Sequence, residues 1–177
     1  MKRNFSIIII SIAVCLAATL FIMNVLNGSK QIGIHEGMTA ESIVLEQFDG
    51  ESIEVFEQTN QVTILNIWAT WCEPCVRELP DLMDLEEDYR DEGLSVLTLN
   101  AQKFERVPEN TYDFIREHEL TLPVFLDAEG EFFQLYQVQG MPTTLVLDQD
   151  HVIIKRIEGE VHYGMLEEII LPLLNES

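Results

Sequence analysis

Two cysteines, Cys72 and Cys75, lie between an apolar strand and an amphipathic helix, and this arrangement restricts the fold more than any other feature of the chain. The preceding residues 62–68 are mostly β-branched or apolar, which is typical of a buried strand. After the cysteines, apolar residues recur at helical spacing among charged ones. The pair is therefore predicted at a helix N-terminus, where free backbone N–H groups and the helix dipole favour a thiolate over a thiol.

A cysteine pair at this position can exchange thiols with a disulfide. The thiolate attacks one sulfur of a substrate disulfide, and the second thiol resolves the mixed disulfide that results. Two other interpretations stay open. A zinc site would need further ligands, but Cys15 lies in an apolar run and the histidines are scattered singly. A purely structural disulfide is the other, although so short a loop would constrain the unfolded chain little.

The N-terminal segment predicts a membrane anchor. Lys2 and Arg3 precede an uncharged run at 5–26, which is long enough for a helix to span the hydrocarbon core. The run exceeds the apolar core of an ordinary signal peptide, about 7–15 residues. Because positive charge stays on the cytoplasmic side, we expect a single-pass protein of the cell membrane, with a cytoplasmic N-terminus and an extracytoplasmic catalytic domain. A cleaved signal peptide and a lipoprotein acylated at Cys15 are the alternatives.

Length and charge limit the organisation and the partners of the chain. Residues 1–30 are assigned to an uncleaved signal-anchor and a short linker, and residues 31–177 to one domain with one core. The chain has 31 acidic and 10 basic residues, which give a formal net charge of −21. Such a surface repels nucleic acid, so we expect no nucleic-acid partner. The acidic charge indicates either a well-solvated exterior or attraction of a basic protein partner.

The rest of the chain alternates between strand and helix patterns. Strands are predicted at 43–48, 52–56, 62–68, 94–99, 124–127, 143–148 and 152–157. Helices are predicted at 73–90, 108–118, 132–136 and 163–174. Turns are predicted at Asp49-Gly50 and Gln149-Asp150, so the chain begins and ends its sheet with a hairpin. This order indicates an α/β domain whose mixed central sheet is flanked by helices.

Four short motifs carry a resemblance to a known family. They are Asn66-Ile67-Trp68-Ala69-Thr70, Trp71-Cys72-Glu73-Pro74-Cys75, Glu78-Leu79-Pro80 and Met141-Pro142-Thr143-Thr144. Over roughly residues 36–174, the chain resembles thioredoxin-fold proteins, and more narrowly the membrane-anchored TlpA/ResA-like thiol–disulfide oxidoreductases of the redoxin type. The resemblance implies a thioredoxin fold with an N-terminal β-hairpin and an extra helix–strand insertion near 104–127.

The resemblance also implies roles for individual residues. Cys72 corresponds to an exposed attacking thiol and Cys75 to a more buried resolving thiol. Pro142 corresponds to a cis-proline that faces the cysteines and whose backbone pairs with an extended substrate segment. The residues assigned to substrate binding are Trp71, Glu73, Pro74, Met141 and Pro142. For Met141 the alternative is a simple packing role, and for Pro142 it is a proline at the start of a strand.

Two carboxylates are predicted to control the proton chemistry. Many thioredoxins have a buried Asp where this chain has Asn66, and the ResA-like group instead has a Glu at the position of Glu78. A partly buried Glu78 with a raised pKa could exchange protons with the cysteine pair, whereas the alternative is a solvated helix carboxylate. Glu73 places a negative charge beside the thiolate, which raises the thiol pKa and favours a reductant over a strong oxidant.

These features predict an extracytoplasmic reductase of protein disulfides, with no metal and no cofactor beyond the redox-active Cys72–Cys75 pair. The resemblance implies a membrane thiol donor of the CcdA/DsbD type and apocytochrome c as a substrate, because the haem-attachment cysteines must be reduced before ligation. The alternatives on the same fold are a disulfide-introducing oxidase and a non-catalytic metal carrier or redox-sensing module. Residues 100–107 carry no readable active-site signal, so substrate selection is assigned to them and to the surroundings of Met141.

Overall fold

The computed structural model describes residues 14–19, 31–48, 50–57 and 59–175, and it divides into the units Met1–Gln31 and Ile32–Ser177. In the first unit, residues 14–19 form a short helix with exposed side chains, among them the free thiol of Cys15. The remainder of the anchor predicted at 5–26 lies outside the described residues. Within the described ranges, none of the helices has the length and the apolar composition that a membrane span requires.

Strands in the described part of the second unit form one mixed sheet. They are β1 (Val44–Gln47), β2 (Ser52–Glu54), β3 (Val62–Trp68), β4 (Leu94–Asn100), β5 (Val124–Leu126), β6 (Thr143–Asp148) and β7 (Ile153–Glu158). Their order is β2-β1-β5-β4-β3-β6-β7. The central pairs β3–β4 and β4–β5 are parallel, and the other four pairs are antiparallel. The mixed α/β sheet predicted from the sequence is confirmed.

Helices cover the two faces of this sheet. They are α1 (Glu73–Tyr89), α2 (Asn110–Glu117), α3 (Glu131–Leu135) and α4 (Tyr163–Leu174). Alternate residues of β3 enter two separate cores, with Ile64 in one and Leu65 in the other. Helices α1, α2 and α4 contribute to the first core, and α3 contributes Phe132 to the second. Because β3 and β4 are buried on both faces, both are mostly apolar or β-branched in the sequence and do not alternate with charged residues.

The predicted insertion connects the N-terminal hairpin to the central sheet. Strand β5 follows α2 and pairs with β4 on one side and with β1 on the other. Both hairpin strands are shorter than predicted, because their pairing extends only from Val44–Glu54 to Glu46–Ser52. Asp49 of the predicted turn lies outside the described residues. Helix α2 begins two residues later than predicted, since Pro108 lies in a turn whose carbonyl accepts a hydrogen bond from the Thr111 N–H.

Candidate active site

The two cysteines are joined in a disulfide at the N-terminus of α1. Cys72 is the N-cap residue, with an extended backbone at φ −87° and ψ 97°, and its carbonyl accepts a hydrogen bond from the Val76 N–H. Cys75 lies in the first helical turn, and the two Cα atoms are 5.2 Å apart. Pro74 occupies the start of the helix, where no intrahelical donor is needed. The disulfide therefore lies at the positive end of the helix dipole, as the sequence predicted.

The two cysteines differ in accessibility. Cys72 is 5% exposed and Cys75 is fully covered. The expectation of an exposed Cys72 is thus wrong in degree, because the surrounding turn and the core cover most of the residue. Cys72 is nevertheless the more accessible of the two cysteines, which the predicted roles require, because the attacking thiolate must reach a substrate disulfide. The roles themselves stay predictions.

Glu73 is neutralised in part by a neighbour that sequence reasoning missed. Arg77 lies one turn further along α1, and its guanidinium contacts the Glu73 carboxylate at 3.0 Å and the Glu160 carboxylate at 2.6 Å. The hydrogen bond from Arg77 lowers the pKa of Glu160 and raises that of Arg77. Because the Glu73 side chain is also 88% exposed, its effect on the Cys72 thiol is weaker than the sequence alone predicts.

Glu78 is a buried carboxyl one helical turn beyond Cys75. It is 1% exposed, so the alternative of a solvated carboxylate is wrong. Its Oε1 accepts a hydrogen bond from Asn66 Nδ2 at 2.6 Å, and its Oε2 accepts one from the Val161 N–H at 2.8 Å. Burial raises the pKa of Glu78 to about 7, although both hydrogen bonds act in the opposite direction, and the nearby Glu160 charge adds to the increase.

Asn66 connects this carboxyl to the neighbouring strand. Its Nδ2 also donates to Thr144 Oγ1 of β6 at 3.0 Å. Its Oδ1 is buried and has no hydrogen-bond partner among the described residues. An amide with one free acceptor beside a titratable carboxyl can adjust to either protonation state of that carboxyl.

The peptide bond between Met141 and Pro142 is cis. Thr143 pairs with Ile67, so Pro142 lies at the end of β3 where the disulfide turn begins. Proline has no N–H, and the Pro142 carbonyl already accepts a hydrogen bond from the Gly159 N–H at 2.9 Å. The Met141 side chain is half-buried and packs against both cores. Substrate binding by either residue stays a prediction.

A carboxylate that sequence reasoning missed fixes the turn before the disulfide. Glu105 is buried, and its Oε1 accepts hydrogen bonds from the Thr70 N–H at 2.6 Å and from Asn100 Nδ2 at 2.9 Å. Its Oε2 accepts one from Thr70 Oγ1 at 2.6 Å. In addition, Trp71 Nε1 donates to the Phe104 carbonyl at 3.0 Å. The segment after β4 is therefore part of the active-site structure, although no spacing rule in the sequence indicates it.

The free energy of unfolding of the Glu105→Gln variant is expected to be about 2 kcal/mol lower than that of wild type. The glutamine side chain has one acceptor oxygen where the carboxylate has two, so one buried donor of Thr70 loses its partner. Urea unfolding of the oxidised protein, followed by tryptophan fluorescence, measures the change. The matched control is Glu129→Gln, an exposed carboxylate for which we expect less than about 0.5 kcal/mol. Equal curves for both variants would mean that Glu105 contributes no stability.

Metal ligands do not converge near the disulfide. Among residues 14–19, 31–48, 50–57 and 59–175, no three His, Cys, Asp or Glu side chains are placed to hold a metal ion. His162 serves as the N-cap of α4, where its ring accepts a hydrogen bond from the Met165 N–H. The expectation of no cofactor beyond the disulfide stays a prediction.

Comparisons with known proteins agree with this geometry. Residues 35–169 match the model of the Redoxin family. The chain is 31% identical to the thiol-disulfide oxidoreductase ResA of Bacillus cereus over 142 residues, which cover 80% of each chain. Its fold matches the crystal structure of StoA from Bacillus subtilis, with a TM-score of 0.64 and 29% identity over 72% of this chain and 95% of StoA. It also matches a secreted thiol-disulfide isomerase from Corynebacterium glutamicum, with a TM-score of 0.69 and 27% identity over 85% and 95% of the two chains.

Proposed function

Since the chain belongs to the redoxin family and is a thiol–disulfide oxidoreductase of the ResA and StoA type, we propose that it works as a reductase of protein disulfides. The observation that carries this proposal is the Cys72–Cys75 disulfide at the N-terminus of α1, with Glu78 buried one turn beyond it. An anionic carboxyl beside a thiol disfavours the thiolate, and a less stable thiolate makes the dithiol a better reductant.

The proposed reaction begins with the reduced protein. The Cys72 thiolate attacks a substrate disulfide, forms a mixed disulfide, and releases the first substrate sulfur as a thiolate. Cys75 then loses its proton, attacks Cys72 Sγ, and releases the second substrate sulfur. Two electrons pass to the substrate, and the protein is left with the disulfide that the structure contains. Glu78 lies one turn from Cys75 and is the group that we assign to receive its proton.

We further propose an extracytoplasmic location, held by the N-terminal anchor with its N-terminus in the cytoplasm. Lys2, Arg3 and the uncharged run at 5–26 support this orientation, and the similar protein from Corynebacterium glutamicum is described as secreted. A membrane thiol protein of the CcdA/DsbD type would return the disulfide to the dithiol. Apocytochrome c is the proposed substrate, and its basic character suits a chain with a net charge of −21.

The reduction potential of the Cys72–Cys75 couple tests the proposed direction. We expect a value near or below that of thioredoxin, about −270 mV, for a fragment that begins at Gln31 and is equilibrated in dithiothreitol buffers of known potential. A value near that of DsbA, about −120 mV, would instead make the protein an oxidase of newly secreted thiols. In that case the proposal of a cytochrome substrate would fall as well.

A further inference from the structure

We propose that the segment 103–107, together with Trp71, is a docking surface for a substrate polypeptide that has an apolar residue and a carboxylate beside its disulfide. This inference rests on the proposed function, because it names the substrate chemistry that the same disulfide would accept. Three observations support it. They are an arginine with no partner among the described residues, a group of exposed apolar side chains, and a buried contact that connects their segment to the turn before Cys72.

The first observation is that Arg106 has no carboxylate partner among the described residues. Four other arginines that the structure describes form ion pairs with carboxylates of the chain, and they are Arg77, Arg90, Arg116 and Arg156. Arg106 is exposed and has no ion pair or hydrogen bond with any described residue. The chain has 31 acidic residues, yet none of those that the structure describes pairs with Arg106, so this guanidinium is available to a carboxylate from outside.

The second observation is an apolar surface around this arginine. Trp71, Phe104 and Val107 are 44%, 43% and 46% exposed, although all three are large hydrophobic residues. The Phe104 ring packs against the Phe133 ring at a centroid distance of 4.5 Å, so one face is supported by the domain while the rest of the ring faces solvent. Aromatic side chains held in this way are common anchors in protein recognition.

The third observation is the buried contact between this segment and the disulfide turn. Glu105 turns inward between Phe104 and Arg106, and its carboxylate holds both the N–H and the hydroxyl of Thr70, two residues before Cys72. Lys103, at the start of the segment, is also held, since its Nζ donates to the Glu129 carbonyl at 2.6 Å. The backbone that carries the exposed side chains is therefore fixed relative to the turn before Cys72, which lowers the entropy lost on binding.

Charge decides which polypeptide suits this surface. A chain with a net charge of −21 repels a substrate that is acidic as a whole, because the long-range field is negative. A single Asp or Glu within reach of Arg106 is attracted at short range instead. We therefore assign an extended substrate segment whose disulfide is flanked by one apolar residue and one acidic residue, in a protein that is neutral or basic overall.

Synthetic peptide disulfides test the assignment. The full-length protein is purified in mild detergent, reduced, and mixed with three peptides that carry the same internal Cys-x-x-Cys disulfide preceded by Leu-Glu, Leu-Lys or Ser-Glu. We expect the Leu-Glu peptide to be reduced about threefold faster than the Leu-Lys peptide at low salt, with a smaller difference at high salt. The Leu-Glu peptide should also react about fivefold faster than the Ser-Glu peptide.

Two variants separate recognition from chemistry. Arg106→Glu is expected to reverse the preference between the Leu-Glu and Leu-Lys peptides, whereas the control Arg116→Glu, at an exposed arginine elsewhere, is expected to keep the wild-type preference. Phe104→Ser is expected to slow reduction of the Leu peptides about fivefold relative to the Ser-Glu peptide. Equal rates for all peptides, or an unchanged preference in Arg106→Glu, would overturn the docking proposal.

Reduction of the small uncharged reagent 2-hydroxyethyl disulfide monitors the thiol chemistry in every variant. The control Arg116→Glu is expected to reduce the reagent at the wild-type rate, because Arg116 lies outside the docking surface and the disulfide turn. Each peptide rate is therefore divided by the reagent rate of the same variant before peptides are compared. If wild type reduces the reagent but shows no peptide preference, only the docking proposal fails. If wild type cannot reduce the reagent, the proposed function fails, and the docking proposal fails with it.

Discussion

The Cys72→Ser variant is expected to lose disulfide reductase activity by more than about a hundredfold, because a serine hydroxyl cannot attack a disulfide at neutral pH. Cys75 remains in this variant, but it is fully covered by the core and the helix turn. Precipitation of insulin, followed by turbidity, measures the loss for the fragment that begins at Gln31. Full-length Cys15→Ser is the control and is expected to keep wild-type activity, since Cys15 is exposed and lies in the other unit.

The Cys75→Ser variant should stop halfway through the same reaction. Cys72 still attacks the substrate, but the mixed disulfide has no internal thiol to resolve it. Intact-mass measurement after incubation with a peptide disulfide is expected to show an adduct of one peptide, which dithiothreitol releases. An adduct that forms in Cys72→Ser and not in Cys75→Ser would reverse the two roles.

The elements of the fold that could be predicted are those whose pattern is local. Strand β3 and helix α4 have the predicted limits, because the first is mostly apolar or β-branched and the second repeats its apolar positions at helical spacing. Helix α2 begins two residues later than predicted, since Pro108 is compatible with a first helical turn but lies in the preceding turn. The hairpin strands are shorter than predicted, because strand patterns do not show where cross-strand pairing stops.

The residues of the active site also differ in whether they could be predicted. The cysteines are predicted by their spacing at a helix start, whereas Glu78 and Pro142 are predicted only by the family resemblance. Glu105 is predicted by neither, because it meets Thr70 across 35 positions of the chain with no periodic signal between them. The contact of Arg77 with Glu160 spans 83 positions and could not be predicted for the same reason. Such contacts depend on loop paths that only tertiary packing determines.

Glu78 is expected to make the folded protein less stable as the pH rises from about 4.5 to about 7, and the Glu78→Gln variant isolates this effect. Burial raises the pKa of Glu78 from 4.5 to about 7 in the folded protein. Between these values the folded chain holds a proton that the unfolded chain has lost, so a rising pH favours unfolding. The stabilisation is complete below pH 4.5, is lost as the pH rises through 7, and amounts to about 3 kcal/mol.

Urea unfolding of the oxidised protein between pH 4.5 and 8 measures this dependence. The free energy of unfolding of Glu78→Gln, minus that of wild type, should rise by about 3 kcal/mol over this range. Glutamine has one acceptor oxygen for the two donors, Asn66 Nδ2 and the Val161 N–H, so the variant also loses a hydrogen bond. This loss lowers the free energy of unfolding of the variant by the same amount at every pH. The control is Glu73→Gln on the same helix, whose carboxylate is 88% exposed and stays in water in both states. A flat difference for Glu78→Gln would contradict the buried, proton-binding carboxyl.

The same titration connects stability to the proposed chemistry. A carboxyl with a pKa of about 7 is about half ionised at neutral pH, which is the proton affinity that the proposed exchange between Glu78 and Cys75 requires. Asn66 suits both states, because its Nδ2 donates to the ionised carboxylate and its unpartnered Oδ1 can accept from the protonated acid after the amide rotates. The pH dependence of insulin reduction should therefore lose its component near pH 7 in Glu78→Gln. Retention of that component would assign it to the cysteines instead.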